Sequence, residues 1–233
     1  MPELAMVAAL EREIRPLVRG WRAEEREYSD RRFRFFESQS CVAVCGGIGF
    51  EAARRATEAV IALYRPARVE SVGFAGALEA DLKVGQVLEI GRVIDARDGS
   101  RKETGSGNTI LVSFSSVAGE QQKAKLARAY GAQLVDMEAA AVAKGTEAHG
   151  IDFGAVKVVS DEFGFPMFPM DRFVDQEGGF RTGSFVVYSA VRPWLWGSVL
   201  RLARNSSRAA QRLGEYLAGR ISASVPPRSK VAR

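Results

Sequence analysis

Val135-Asp136-Met137-Glu138-Ala139-Ala140-Ala141-Val142-Ala143, read with Val156-Lys157-Val158-Val159-Ser160-Asp161, places two carboxylates at two different kinds of element end. The first stretch leads from a short apolar run into an alanine-rich helix, expected over residues 138–149 and stopped by Gly150 in the C′ role. The second is a valine-rich run of the kind that forms a buried strand, expected over 153–160, with Asp161 at its end. Helix and strand in alternation are the mark of an α/β sheet with helices on both faces.

The same alternation extends outward in both directions. Residues 4–10 read as a buried strand, followed by a helix or turn from Glu11, and 32–37 with 41–45 read as a hairpin pair. Gly46-Gly47-Ile48-Gly49 then opens a helix over 50–64, with Ala53, Ala56, Val60, Ile61 and Tyr64 on its apolar face. Strands are expected at 68–74, 87–94 and 109–113, and a helix at 120–130; the polar, glycine-rich 97–107 reads as a loop or hairpin tip. The aromatic, proline-broken 163–169 cannot be regular, and a last helix is expected over 196–218. Residues 1–220 are expected to form one domain, with 221–233 as a basic tail.

The chain has 233 residues, 46% of them hydrophobic and 26% charged, which suits a single large α/β domain with a full core. Its net charge of +5 is modest, so a basic surface with no nucleic-acid partner is expected. Cys41 and Cys45 share one expected strand, where residues four apart lie roughly 13 Å from each other, too far for a disulfide. With a single histidine and no CxxC pair, a metal site is not expected. The N-terminus lacks a basic n-region, and no apolar run reaches the roughly 18 residues a spanning helix needs, so a reduced, cytoplasmic setting is expected.

Several constellations carry chemistry. Gly47-Ile48-Gly49-Phe50-Glu51-Ala52 follows a strand, opens a helix and fits the GxGxxG/A dinucleotide pattern. Glu70 has the spacing of the acid that would hold a ribose, but sits near the start of its strand. Two other readings are glycines that allow close helix–sheet packing, and an anion or water site made by free N–H groups at Gly47 and Gly49. Gly73-Phe74-Ala75-Gly76 ends a strand, where ligands of open α/β sheets collect. Glu13 follows the first strand on the same rim, and surface acids there are most often only surface acids. Glu138 stands at a helix start, where the dipole favours an ionised carboxylate able to accept from two ribose hydroxyls. Asp161 is followed by Phe163 and Phe165, and apolar surroundings would favour its protonated, donor form. The bland alternatives are a first-turn helix acid and a turn-capping aspartate. Arg201, Arg204, Arg208 and Arg212 form one stripe on the last helix, preceded by Trp194 and Trp196; this is either a solvated face or a membrane-surface contact.

Taken in order, these pieces resemble the nucleoside phosphorylase and nucleosidase superfamily, closest in motif layout to methylthioadenosine/S-adenosylhomocysteine nucleosidases. The motifs that carry the resemblance are Ala8-Ala9-Leu10-Glu11-Arg12-Glu13-Ile14, Gly47-Ile48-Gly49 with Glu51-Ala52-Ala53, residues 71–78 with Leu82-Lys83-Val84-Gly85-Gln86-Val87, residues 135–143, and Val158-Val159-Ser160-Asp161. The resemblance implies a three-layer α/β/α domain around a mixed, partly barrel-like sheet, and cleavage of the N-glycosidic bond of an adenosine-type purine nucleoside. It implies that Asp161 protonates the leaving purine, that Glu13 activates or positions the attacking water, that Glu138 holds the ribose hydroxyls and that Met137 packs beneath the sugar. Gly76, Phe74, Val117, Ser160 and Lys157 would complete the substrate site. No cofactor is implied beyond phosphate as a co-substrate, and a homo-oligomer is the expected assembly.

Departures from the pattern bear on the substrate. Phe74 stands where many members carry a small hydroxyl residue, Lys157 replaces an arginine, and Val117 takes roughly the place of a base-stacking aromatic. Residues 173–200 look inserted, and with the tryptophans and the arginine stripe they resemble the hopanoid-associated phosphorylase branch. That likeness implies an adenosyl-hopane substrate, phosphate as acceptor and a location at the inner membrane face. The alternatives are a dinucleotide-dependent oxidoreductase built on the glycine loop and a nucleoside binder without turnover.

Overall fold

The structure, a computed structural model, describes residues 2–166 and 192–224 and, between these spans, 173, 175, 178–181, 183–185 and 188. Ten strands run in the order β10-β6-β8-β9-β5-β1-β4-β3-β2, with β7 paired to β6. The strands are β1 (Leu4–Ala8), β2 (Arg22–Tyr28), β3 (Arg31–Glu37), β4 (Cys41–Cys45), β5 (Arg68–Ala77), β6 (Val87–Asp95), β7 (Arg101–Glu103), β8 (Thr109–Ser113), β9 (Leu134–Asp136) and β10 (Asp152–Asp161). Because β10 also pairs with β5, the path β10-β6-β8-β9-β5 closes on itself as a five-stranded mixed barrel. One edge of β5 is shared: its first half lies parallel to β1, and Gly76 and Ala77 lie antiparallel to β9. The three-layer fold with a partly closed sheet expected from the motifs is the fold found.

Among the described residues the sheet is covered by helices α1 (Glu11–Val18), α2 (Phe50–Tyr64), α3 (Glu120–Tyr130), α4 (Ala139–Ala148) and α5 (Trp196–Ser224). On one face α2 and α4 meet through small side chains, Ala53, Ala56, Ala140 and Ala143 among them. Gly145 fits there because a Cβ would come within 2.7 Å of Thr57 Cγ2. On the other face α1 packs against α5, joining Ile14, Leu17 and Val18 to Ala209, Leu213 and Leu217. The four-residue rhythm of those α5 positions is the apolar stripe opposite the arginines.

Some boundaries differ from the sequence reading. The first strand ends at Ala8, and α5 continues past residue 218 to Ser224, leaving only 225–233 of the expected tail outside the described residues. β2, Arg-Ala-Glu-Glu-Arg-Glu-Tyr, has no apolar alternation to betray it, since it is an edge strand held by ladder bonds to β3. The stretch read as a loop or hairpin tip at 97–107 is a hairpin, since β7 returns antiparallel along β6. Of the irregular stretch, 163–166 is turn and coil, and 167–169 lie outside the described residues. Both cysteines are free.

Candidate active site

The carboxyl ends of β1, β5, β9 and β10 converge on one cleft of about 160 Å³, with both carboxylates of the opening motifs in its wall. Glu13, Phe74, Gly76, Val117, Met137, Glu138, Ser160 and Asp161 all line it. Lys157, Gly47 and Gly49 do not belong to that lining.

Asp161 reaches the cleft through a bulge. β10 runs in register with β5 as far as Val159 opposite Ala75, and the next pair is Asp161 opposite Gly76. Ser160 is the extra residue, so Ser160 and Asp161 both face the cleft where a regular strand would point them to opposite sides. The Ser160 hydroxyl donates to Asp161 Oδ1 at 2.7 Å. Oδ2 lies 2.5 Å from Nζ of Lys123, a lysine 1% exposed that also donates to the Glu162 carbonyl at 2.8 Å. The apolar surround expected from Phe163 and Phe165 is therefore not what Asp161 meets: its immediate neighbours are a hydroxyl and an ammonium. Sequence reasoning missed Lys123, although its position three residues before the buried Leu126 puts it on the inner face of α3.

Opposite Asp161 lies a cluster of three acids, Glu13 and Asp136 buried and Glu138 half-buried, with one lysine. Asp136, at the end of β9, accepts from the Ser113 hydroxyl at 2.6 Å and from the backbone N–H of Ala139 at 2.9 Å, while Ser113 Oγ accepts from Ala140 N–H at 2.9 Å. These two side chains cap α4, which leaves the carboxylate of Glu138 free of that work. Glu138 instead accepts from Gly49 N–H at 2.8 Å and Met137 N–H at 3.2 Å. Lys157 stands behind the cleft wall, 2.9 Å from Asp136 Oδ2 and donating to the Ser71 hydroxyl at 3.0 Å. Its placement is that of a counter-charge to the acids, not of a substrate contact. Burial disfavours the Lys157 ammonium, but Asp136 and then Glu138 and Glu13 outweigh it and raise its pKa.

The helix start does not keep Glu138 ionised as the sequence suggested. Burial, with Asp136 beside it, pushes its carboxyl up to about 7 against Lys157 and the two N–H donors. Glu13 is pushed up to about 8, by burial first and then by the charge of Glu138, against Lys157, Arg12 and the N–H of Phe74. Each acid thus resists ionisation, and a charge on Glu138 makes a second one on Glu13 harder to form. The site therefore disfavours two anions side by side.

Two glycines make this arrangement possible. A Cβ on Gly76 would lie 3.0 Å from Asp161 Oδ2 and 3.2 Å from Lys123 Cε. Gly73 has φ +143°, and a Cβ there would overlap Glu13 Oε2. Gly73→Ala is expected to displace Glu13, costing about 1–3 kcal/mol in urea unfolding and at least tenfold in turnover. Unchanged turnover would show that the position of Glu13 is immaterial.

The glycine loop is not an open cradle. Gly46 and Gly47 donate to the carbonyls of Ala8 and Ala9, Ile48 to that of Gly178 at 2.7 Å, and Gly49 to Glu138. Four successive N–H groups are spent on the protein, so the anion or water site expected at Gly47 and Gly49 is not offered by those groups. The same bonds remove the donors a dinucleotide pyrophosphate would need there. What the loop does is hold Glu138. Among the described residues no three His, Cys, Asp or Glu side chains gather as a metal ion requires.

Arg12, Leu202 and Ser206 also border a second, larger hollow of about 1050 Å³ between α1 and α5. Phe36, Phe180, Phe185, Val199 and Ala210 give it apolar walls, and Arg15 and Arg19 stand on its rim. The cleft thus opens into a roomy, largely apolar groove.

Residues 3–115 and 109–176 match the sequence profile of the phosphorylase superfamily. No curated protein matches the chain by sequence. Among solved structures, futalosine hydrolase of Helicobacter pylori superposes with a TM-score of 0.71 at 17% identity, over 95% of this chain and 98% of that one. The 5′-methylthioadenosine nucleosidase of Arabidopsis thaliana gives 0.73 at 17% identity, over 95% and 96%. The 5′-methylthioadenosine/S-adenosylhomocysteine nucleosidase of Neisseria meningitidis, in complex with methylthio-immucillin-A, gives 0.70 at 17%, over 96% and 100%. At such identities the likeness establishes the fold.

Proposed function

Since the chain belongs to the phosphorylase superfamily, we propose that it cleaves the N-glycosidic bond of a purine nucleoside of the adenosine type, releasing the base. The observation that carries this is the single cleft with Asp161 on one wall and the Glu13–Glu138 pair on another. Bond breaking leaves positive charge on the ribosyl carbon and needs a proton on the departing base. Asp161 is the group placed for the base. Glu138, held by the N–H groups of Gly49 and Met137, suits the sugar hydroxyls, and its ionised form also favours the developing cation. Glu13 in its ionised form takes the proton of an attacking water. Met137 and Phe74 supply apolar walls.

The groove supports a finer reading, in which the 5′ substituent is large and apolar, as in an adenosyl-lipid. Trp194, Trp196 and Leu200 are 74%, 52% and 58% exposed beside the arginine stripe of α5, an arrangement suited to delivery from a membrane surface. No helix among the described residues is long and apolar enough to cross a membrane. With the N–H groups of 46–49 already bonded, water is the acceptor favoured over phosphate.

Base release from 5′-methylthioadenosine, S-adenosylhomocysteine and an adenosyl-lipid, each with and without phosphate, tests these points together. Release from at least one without phosphate is expected, fastest for the lipid. No release from any would end the glycosidase reading, strict phosphate dependence would end hydrolysis, and preference for the small thioethers would end the lipid reading.

A further inference from the structure

A buried cation sits at the base side of the cleft with no task in the reaction just described. Lys123 comes from the first turn of α3 and is 1% exposed. Its Nζ is 2.5 Å from Asp161 Oδ2 and 2.8 Å from the Glu162 carbonyl. With Ser160 donating to Oδ1 at 2.7 Å, each oxygen of Asp161 already accepts a proton-bearing neighbour. Held this way, both oxygens of Asp161 are engaged as acceptors. A buried ion pair adds little net stability over apolar side chains of the same volume. Even so, the pair is closely fitted: a Cβ at Gly76 would lie 3.0 Å from Asp161 Oδ2 and 3.2 Å from Lys123 Cε, so the pair would have to shift by a few tenths of an ångström to admit one.

We propose that Lys123 is the source of the proton the departing base takes up, passed through Asp161, so that Lys123 positions and charges the group that faces the base. The inference rests on the glycosidic-cleavage reading. As the bond from the ribosyl carbon to the base nitrogen breaks, its electron pair enters the imidazole ring of the purine. The free ring nitrogen takes a proton from Asp161 while Asp161 takes one from Lys123 Nζ. The ion pair becomes a carboxylate and a neutral amine, the base leaves neutral, and the positive charge passes to the ribosyl carbon until an oxygen nucleophile adds. The proton released by the added water goes to Glu13, and exchange with bulk solvent then returns one proton to Lys123 and removes one from Glu13. Without Lys123 the relay has no proton source and Asp161 loses the partner that fixes its Oδ2.

The test compares two leaving groups in three proteins. Wild type, Lys123→Met and Lys123→Arg are assayed on the purine nucleoside the wild type cleaves fastest and on the 4-nitrophenyl riboside with the same 5′ group, whose nitrophenolate leaves without a proton. Lys123→Met is expected to lose about 100-fold or more of kcat on the purine nucleoside, with KM within about threefold, and less than about fivefold on the aryl riboside. Lys123→Arg keeps the charge but does not release its proton, and is expected to share the loss on the purine substrate alone. Equal losses on the two substrates, a purine rate within about threefold of wild type in Lys123→Met, or recovery in Lys123→Arg would overturn the proposal. Wild type that releases no base from any purine nucleoside would overturn the glycosidic reading instead, a failure seen before any variant is made.

Discussion

Asp161→Asn is expected to lower kcat/KM for a purine nucleoside by about 10²- to 10⁴-fold, the usual worth of a positioned proton carrier. It is also expected to destabilise the protein. The amide is neutral, and it leaves the ammonium of Lys123 buried with only the Glu162 carbonyl and a weakened partner. Removing one member of a buried pair commonly costs about 3–5 kcal/mol, because the other charge stays uncompensated. Urea unfolding should show a midpoint shift of that size. The double variant Lys123→Met/Asp161→Asn separates the two effects, since it removes the stranded charge. It should regain much of the stability and none of the activity, a coupling expected of groups in direct contact. Near-normal turnover in Asp161→Asn would remove Asp161 from proton transfer altogether.

The fold was readable where burial leaves a period in the sequence. The valines of β10, the alanines of α2 and α4 and the strand–helix alternation all announce themselves, and the closing of β10 onto β5 entered only through the motif resemblance. β2 was invisible because an exposed edge strand of alternating charge looks like a polar loop. The candidate site divides in the same way. Asp161, Glu138 and Glu13 stand at element ends, where a linear reading looks for chemistry, and the structure brings them into one cleft. Lys123 lies in the first turn of α3, and only its spacing to Leu126 separates it from the exposed Lys125 two residues on. Its meaning comes from a partner 38 positions away. The state of the acids was misread for the same reason: helix position alone argues for ionised Glu138, whereas burial and Asp136 decide otherwise. Of the readings of the glycine loop, close helix packing fits Gly46, where a Cβ would lie 2.7 Å from Ala56 Cβ, while the anion and dinucleotide readings lose their donors to Glu138 and Gly178.

Glu13→Gln is expected to abolish most turnover and yet give a more stable protein at pH 8. In the unfolded chain Glu13 has the ordinary carboxyl pKa of 4.5, while in the fold it is pushed up to about 8. Below pH 4.5 both states hold the proton and the contribution is complete. Between 4.5 and about 8 the unfolded state has released it and the folded state has not, so stability falls as pH rises; above that window the loss is finished. Glu138, pushed up to about 7, acts in the same direction over a narrower range. Glutamine keeps an acceptor for the Phe74 N–H and has no proton to lose, so the Glu13 share of the slope disappears. Every tenfold difference in proton affinity between folded and unfolded chain is worth about 1.4 kcal/mol, which puts the expected gain at pH 8 on the order of 3 kcal/mol after partial relaxation. Thermal or urea unfolding of wild type and variant at pH 5 and pH 8 measures it, and parallel curves would show that Glu13 ionises freely. Activity should run the other way. If ionised Glu13 takes the proton of the attacking water, wild-type kcat/KM climbs toward pH 8 over the same range in which stability declines. The group that makes the cleft reactive is then the group that makes it costly to bury, and one substitution should relieve the cost and remove the reaction together.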